Sequence, residues 1–92
     1  MEKLEKLEIY EKLKKNDIVE IEYNSSFGGY RKSKFLVSKG KTQVGKRKVE
    51  RIILKNIANL KGVKYYLYQE NGIVSLAIGN LSRTFKNITN LT

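Results

Sequence analysis

The sequence predicts an α+β, mainly β domain: one N-terminal helix followed by a small antiparallel barrel of five or six strands. Three observations lead there. The first fifteen residues carry leucines at helical spacing, residues 18–23 alternate between apolar and acidic side chains, and Asn71-Gly72 separates two β-rich runs. A chain of 92 residues is expected to form one domain, 1–92, with the helix over 1–15 and a β-rich body over 17–88. At this size roughly 60–65 % of the unfolded surface is buried, enough for one modest core.

Residues 1–15 read as a helix because Leu4, Leu7, Ile9, Tyr10 and Leu13 form a broad apolar side. Glu2–Lys6, Glu8–Lys12 and Glu11–Lys15 add favourable i,i+4 pairs, each contributing only ~0.2–0.5 kcal/mol. Asn16-Asp17 breaks the pattern. In the strand over 18–23, Val19, Ile21 and Tyr23 share one face and Glu20 and Glu22 the other. NSSFGG at 24–29 reads as a turn with Phe27 at its tip, and a second strand follows over 30–38, with Phe35 and Val37 inward and Lys32 and Lys34 outward. KGKTQVGKRK, 39–48, reads as a basic, glycine-containing loop.

Residues 49–60 support two readings. Val49, Ile52, Ile53, Ile57 and Leu60 fit a helical stripe, which would give a ββ-α-ββ sheet, but the density of β-branched residues favours a long strand. Next comes the hairpin around Asn71-Gly72, the pair a type I′ turn prefers. A two-residue turn there sets Leu67 opposite Leu76 and Tyr65 opposite Ile78. Val63, Tyr65, Leu67, Val74, Leu76 and Ile78 then form the buried face, with Lys64, Tyr66, Tyr68, Ser75 and Ala77 on the other. The tail from Leu81 also supports two readings: Phe85, Ile88 and Leu91 stand at helix-like spacing with poor helix formers between them, and a short strand near 83–88 fits equally well. The outline is that of a small barrel of SH3-like or Sm-like type, a closed form that leaves few edges exposed. The glycine and Arg-Gly signatures of true Sm proteins are absent, so no family follows from it.

Composition narrows the chemistry. The chain has no His, Cys, Trp or Pro, which removes the side chain that titrates near neutral pH, the thiolate zinc site and any disulfide framework. No enzyme, cofactor, metal site or small-molecule substrate is expected. No apolar run approaches the ~20 residues of a membrane span, and Met1–Lys6 is too charged for a signal peptide, so a cytoplasmic location is the default. The abundance of Lys, Ile, Asn and Tyr suits an AT-rich genome, as in a thermophile or an archaeal virus.

The net charge of +10 is concentrated: residues 31–55 hold ten bases against the single acid Glu50. Such a segment attracts phosphates and gains entropy by releasing condensed counterions. The expected partner is therefore nucleic acid, DNA in preference to RNA, bound without sequence selectivity. The candidate residues are Arg31, Lys32, Lys34, Lys39, Lys41, Lys46, Arg47, Lys48 and Arg51, with Tyr30, Tyr66 and Tyr68 as rings on which bases could stack. Two plainer readings stand beside this one. The charge could be a solvated surface partly neutralised by Glu20 and Glu22, and Tyr66 and Tyr68 could be the seat of the helix. The alternative function is a protein-interaction or assembly module, in which the amphipathic helix pairs with a second copy to give a homodimer, or with an acidic partner.

Five further signals carry little. Gly40-Lys41-Thr42 resembles the end of a phosphate-binding loop, but Phe35 stands where the motif needs glycine. Glu2, Glu5, Glu8 and Glu11 lie among lysines on a surface helix, and Asp17, Glu20 and Glu22 alternate along a strand as surface partners would. Asn24, Asn80, Asn87 and Asn90 match the glycosylation tripeptide without a secretion signal. The helix has a charge-balanced polar side instead of the cationic one that membrane surfaces select.

Overall fold

The computed structural model describes residues 2–25, 28–79 and 81–92, with Thr42 and Val44 described by backbone alone. The expected Phe27 tip, and Asn80, lie outside the described residues. Helix α1 spans Lys3–Lys12 and stops short of the expected Lys15. The cause is local: the Lys14 N–H donates to Asp17 Oδ2 at 2.9 Å, and Asn16 takes φ +75°, a left-handed conformation that asparagine tolerates. The Asn16 N–H then donates to the Val37 carbonyl at 2.8 Å, which delivers the chain into the sheet.

Among the described residues seven strands follow: β1 (Ile18–Asn24), β2 (Tyr30–Val44), β3 (Arg47–Asn56), β4 (Tyr65–Glu70), β5 (Ile73–Ile78), β6 (Leu81–Arg83) and β7 (Phe85–Asn90). They form one antiparallel sheet in the order β6-β5-β4-β3-β2-β1-β7, curled into a half-barrel. The two edge strands are adjoining pieces of the segment 81–90, separated only by Thr84. Five or six strands were expected; the count is seven because the tail divides at Thr84 into pieces that pair with opposite ends of the sheet.

Two observations establish the curl. A straight strand of β2's 15 residues would run roughly 46 Å at ~3.3 Å per residue, yet the molecule extends 35 Å along its longest principal axis. In addition, the hydroxyls of Tyr23 on β1 and Tyr65 on β4 lie 3.5 Å apart although β2 and β3 separate those strands in the sheet.

The period-2 alternation sorts each strand into an inner and an outer face. Val19, Ile21, Tyr23, Phe35, Val37, Ile52, Leu54, Leu67, Val74, Leu76, Phe85 and Ile88 are buried on the inner face. Each such side chain contributes about 1.5–3 kcal/mol of hydrophobic stabilisation when fully buried. Helix α1 lies on this same face, with Leu7, Ile9 and Tyr10 against the core and Leu13 beneath it. Lys6 fastens the helix to β7: its ammonium donates to the Phe85 carbonyl at 2.9 Å and lies 4.3 Å from the Phe85 ring centroid.

The expected hairpin register holds, with Leu67 opposite Leu76 and Tyr65 opposite Ile78. Asn71 and Gly72 take φ +54° and +79°, the paired positive values of a type I′ turn. Residues 47–56 are strand, not helix; Ile57 and Leu60 fall in the loop beyond it and are exposed. Val63, expected to be buried, is exposed because β4 begins only at Tyr65, and Ala77, expected on the open face, is buried.

Beneath one end of the sheet, Phe35 packs its ring 4.8 Å from Tyr65 and 6.3 Å from Tyr23. Burial, and then the neighbouring Tyr23 hydroxyl, push the Tyr65 phenol up to about 12 from its ordinary 10.0. The folded state therefore favours the protonated phenol. That contribution to stability is fully present below pH 10 and is lost as pH rises toward 12. The melting temperature is expected to fall across this window, and less steeply in Tyr65→Phe, which has no phenol to ionise. Identical alkaline profiles for the two proteins would refute this.

Candidate nucleic-acid interface

The segment expected to be a loop, 39–48, is instead the far half of a β-ribbon. Strands β2 and β3 pair without interruption from Phe35↔Asn56 to Val44↔Arg47, and the two-residue turn Gly45-Lys46 joins them. Gly45 has φ +62°, as expected of glycine at the first central position of a type II′ turn, and the Gln43 side-chain amide donates to its carbonyl at 2.9 Å. A charged, glycine-containing run reads as a loop, but here each residue is held by its partner across the ladder. The detectable signal was the Gly-X pair flanked by residues able to pair.

The ribbon outruns its neighbours. β1 pairs with β2 only as far as Leu36, and β4 pairs with β3 only at Ile52–Leu54. Beyond these points the ribbon continues alone for about six residues per strand, roughly 20 Å. A groove of about 300 Å³ opens where β3 splays from β4, lined by Arg47, Val49, Glu50, Tyr68, Gln69 and Glu70 among others.

This stretch carries Lys39, Lys41, Lys46, Arg47, Lys48 and Arg51 against the single acid Glu50, which stands opposite Lys41. Alternation places Lys39, Lys41 and Lys48 on the face continuous with the inner side of the sheet, and Arg47 and Arg51 on the outer, with Lys46 at the tip. The ribbon is thus cationic on both faces. All of these but Arg51 are exposed. Gly40 allows the Ile53 side chain to cross the outer face, since a Cβ on Gly40 would come within 2.8 Å of Ile53 Cδ1.

Arg51 serves the root of the ribbon. Its guanidinium lies 5.0 Å from the Tyr68 ring centroid and 5.9 Å from that of Tyr66, and its Nε is buried without a hydrogen-bond partner. Tyr68 in turn shares a hydrogen bond of 3.1 Å with Ser82 Oγ. The two tyrosines are half-buried on the outer face, away from α1, and their neighbour is Arg51 instead of the helix. On the inner side the root rests on the C-terminal half of α1, where Tyr10, Glu11 and Leu13 face Lys39, Glu50 and Ile52 across a depression of about 260 Å³. Burial, and then the Glu50 carboxylate, raise the Tyr10 phenol above its ordinary value.

The remaining candidates sit at the opposite end of β2. Lys32 and Lys34 are directly across the ladder from Glu22 and Glu20, so each base there has an acid opposite it. Tyr30 is exposed, with Lys86 Nζ 5.6 Å from its ring centroid, and Arg31 belongs to a separate cavity. The structure thus divides the sequence candidates into a ribbon with a large excess of bases and a distant, mixed-charge group. Compared with protein-family models, curated proteins and solved structures, the chain matches none.

Proposed function

We propose that the protein binds duplex DNA without base selectivity by laying the ribbon 39–51 into a groove, and that it catalyses no reaction. The observation that carries this is the geometry of charge: six bases on a two-stranded ribbon, on both faces and the tip, with Glu50 the one acid on its own strands and Glu11 and Glu70 beside its root and groove. Strands about 4.8 Å apart fit the major groove of B-DNA, which is ≈ 12 Å wide and admits a β-ribbon. Cations on both faces then meet the phosphates of both groove walls. The deep, narrow major groove of A-form RNA excludes such an element, which favours DNA. Lysines also guard exposed sheet edges against aggregation, but a few charges suffice for that, and charge on both faces is not required.

The half-barrel is read as a small SH3-like or Sm-like barrel that serves as the platform; the continuity of 81–90 between its two edges supports this. Helix α1 gives little support to an assembly role, because its apolar side is used within its own core. Titration of a labelled 20-base-pair duplex, the equivalent single strand and an RNA duplex by fluorescence anisotropy at 50 mM salt tests the proposal. The DNA duplex is expected to bind most tightly and independently of sequence. No duplex binding, or equal affinity for the RNA duplex, refutes groove insertion.

A further inference from the structure

A second cavity, of about 510 Å³, opens at the end of β2 opposite the ribbon, within the ≈ 300–1,000 Å³ range of small-ligand pockets. Tyr23, Arg31, Ser33, Asn56, Ile57 and Tyr65 line it, together with Ala58 and the lysines Lys32 and Lys34. At its floor three hydroxyls meet: Tyr23 OH is 3.3 Å from Ser33 Oγ and 3.5 Å from Tyr65 OH. Both contacts are longer than the 2.7–2.8 Å usual for O–H···O bonds. Two contacts among three hydroxyls use at most two of the three protons, so at least one O–H is left to donate to an incoming acceptor.

Arg31 lines the cavity, and its positive charge acts on the Tyr65 phenol against the rise that burial causes. That phenol keeps its proton, and so remains a donor, throughout the neutral range. The side-chain carbonyl of Asn56 is engaged by the Ala58 N–H at 2.9 Å, which turns its NH₂ donors toward other partners. Ile57 and Ala58 supply an apolar wall, fixed by the Ile57 N–H bond to the Lys34 carbonyl at 3.0 Å. None of the lining residues is acidic.

Several hydroxyl donors, a guanidinium, aromatic edges and an apolar wall without a carboxylate are complementary to an oxyanion attached to a compact organic body. We propose that this cavity is a separate site for a phosphomonoester of mononucleotide size, carried either on a free nucleotide or on the phosphorylated end of a nucleic-acid strand. The phosphate meets Arg31 and the hydroxyls, and the organic part lies against Ile57 and Ala58. The residues differ from those of the ribbon, so the two proposals stand or fall separately.

Amide NMR titration of the full chain tests the proposal, using adenosine 5′-monophosphate, adenosine, inorganic phosphate, and a short oligonucleotide with and without a 5′-phosphate. Saturable shifts at Ser33, Asn56 and Ile57 are expected with the monophosphate, at least tenfold weaker with adenosine and with inorganic phosphate. Arg31→Gln, at an exposed position that leaves the core intact, should weaken monophosphate binding at least tenfold. Lys46→Ala/Arg47→Ala/Lys48→Ala should leave it unchanged while impairing duplex binding. A strand end is the natural source if the 5′-phosphorylated oligonucleotide binds more tightly than the free nucleotide, and the nucleotide is the source if the order is reversed. Shifts confined to the ribbon, or equal affinity for adenosine and its monophosphate, overturn the proposal.

Discussion

Replacing Lys46, Arg47 and Lys48 together with alanine is expected to weaken duplex binding by roughly two to three orders of magnitude near 0.1 M salt, to the same extent for all sequences. The magnitude follows from counterion release, in which each phosphate contact contributes about 0.9 to the slope of log K against log salt. About five contacts give a slope near −4.5, and removing three leaves about −1.8. The three side chains are exposed at and beside the turn, away from the core, so the fold should change by no more than about 0.5 kcal/mol. A parallel variant with Lys32 and Lys34 replaced by alanine controls for net charge. Those lysines face Glu22 and Glu20, and the ribbon assignment predicts a much smaller loss from their removal. Equal losses in the two variants would mean that the protein attracts DNA through overall charge alone.

Phe35→Ala is expected to have the largest effect on stability. The ring is fully buried and contacts both Tyr23 and Tyr65. Its removal takes away apolar contact and leaves a cavity that a curled sheet closes poorly, at a cost of about 3–5 kcal/mol. A domain of this size has a total stability of roughly 5–14 kcal/mol, so the melting temperature should fall by roughly 15–30 °C. Because β2 carries both Phe35 and the ribbon, duplex binding should disappear along the same melting curve. A fall of only a few degrees, seen by circular dichroism, would show that the half-barrel is held together elsewhere.

Much of the fold was legible in local pattern. The alternation of Val19, Ile21 and Tyr23 with Glu20 and Glu22 marked β1, and Asn71-Gly72 fixed the β4–β5 register residue by residue. What escaped was structure whose cause is not apolar periodicity. The ribbon's outer half has no buried face to announce it; its strands exist because each pairs with the other through the Gly45-Lys46 turn. The division of the tail at Thr84 depends on the curl of the whole sheet. The list of basic residues was readable from composition, but not which of them lie free of carboxylates. That depends on register, which sets Lys34 against Glu20 and Lys32 against Glu22 while the ribbon's own strands carry Glu50 as their one acid. The phosphomonoester cavity was least legible of all, since Tyr23 and Tyr65 are 42 residues apart and meet only through the curl.

The most direct test of the DNA-binding assignment is the affinity of the unaltered protein for a single duplex, measured between 50 and 200 mM salt. A slope of log K against log salt near −4.5 is expected, so that the fourfold rise in salt weakens binding by roughly several hundred-fold. Tight binding with a slope near zero, or no binding at the lowest salt, would contradict it.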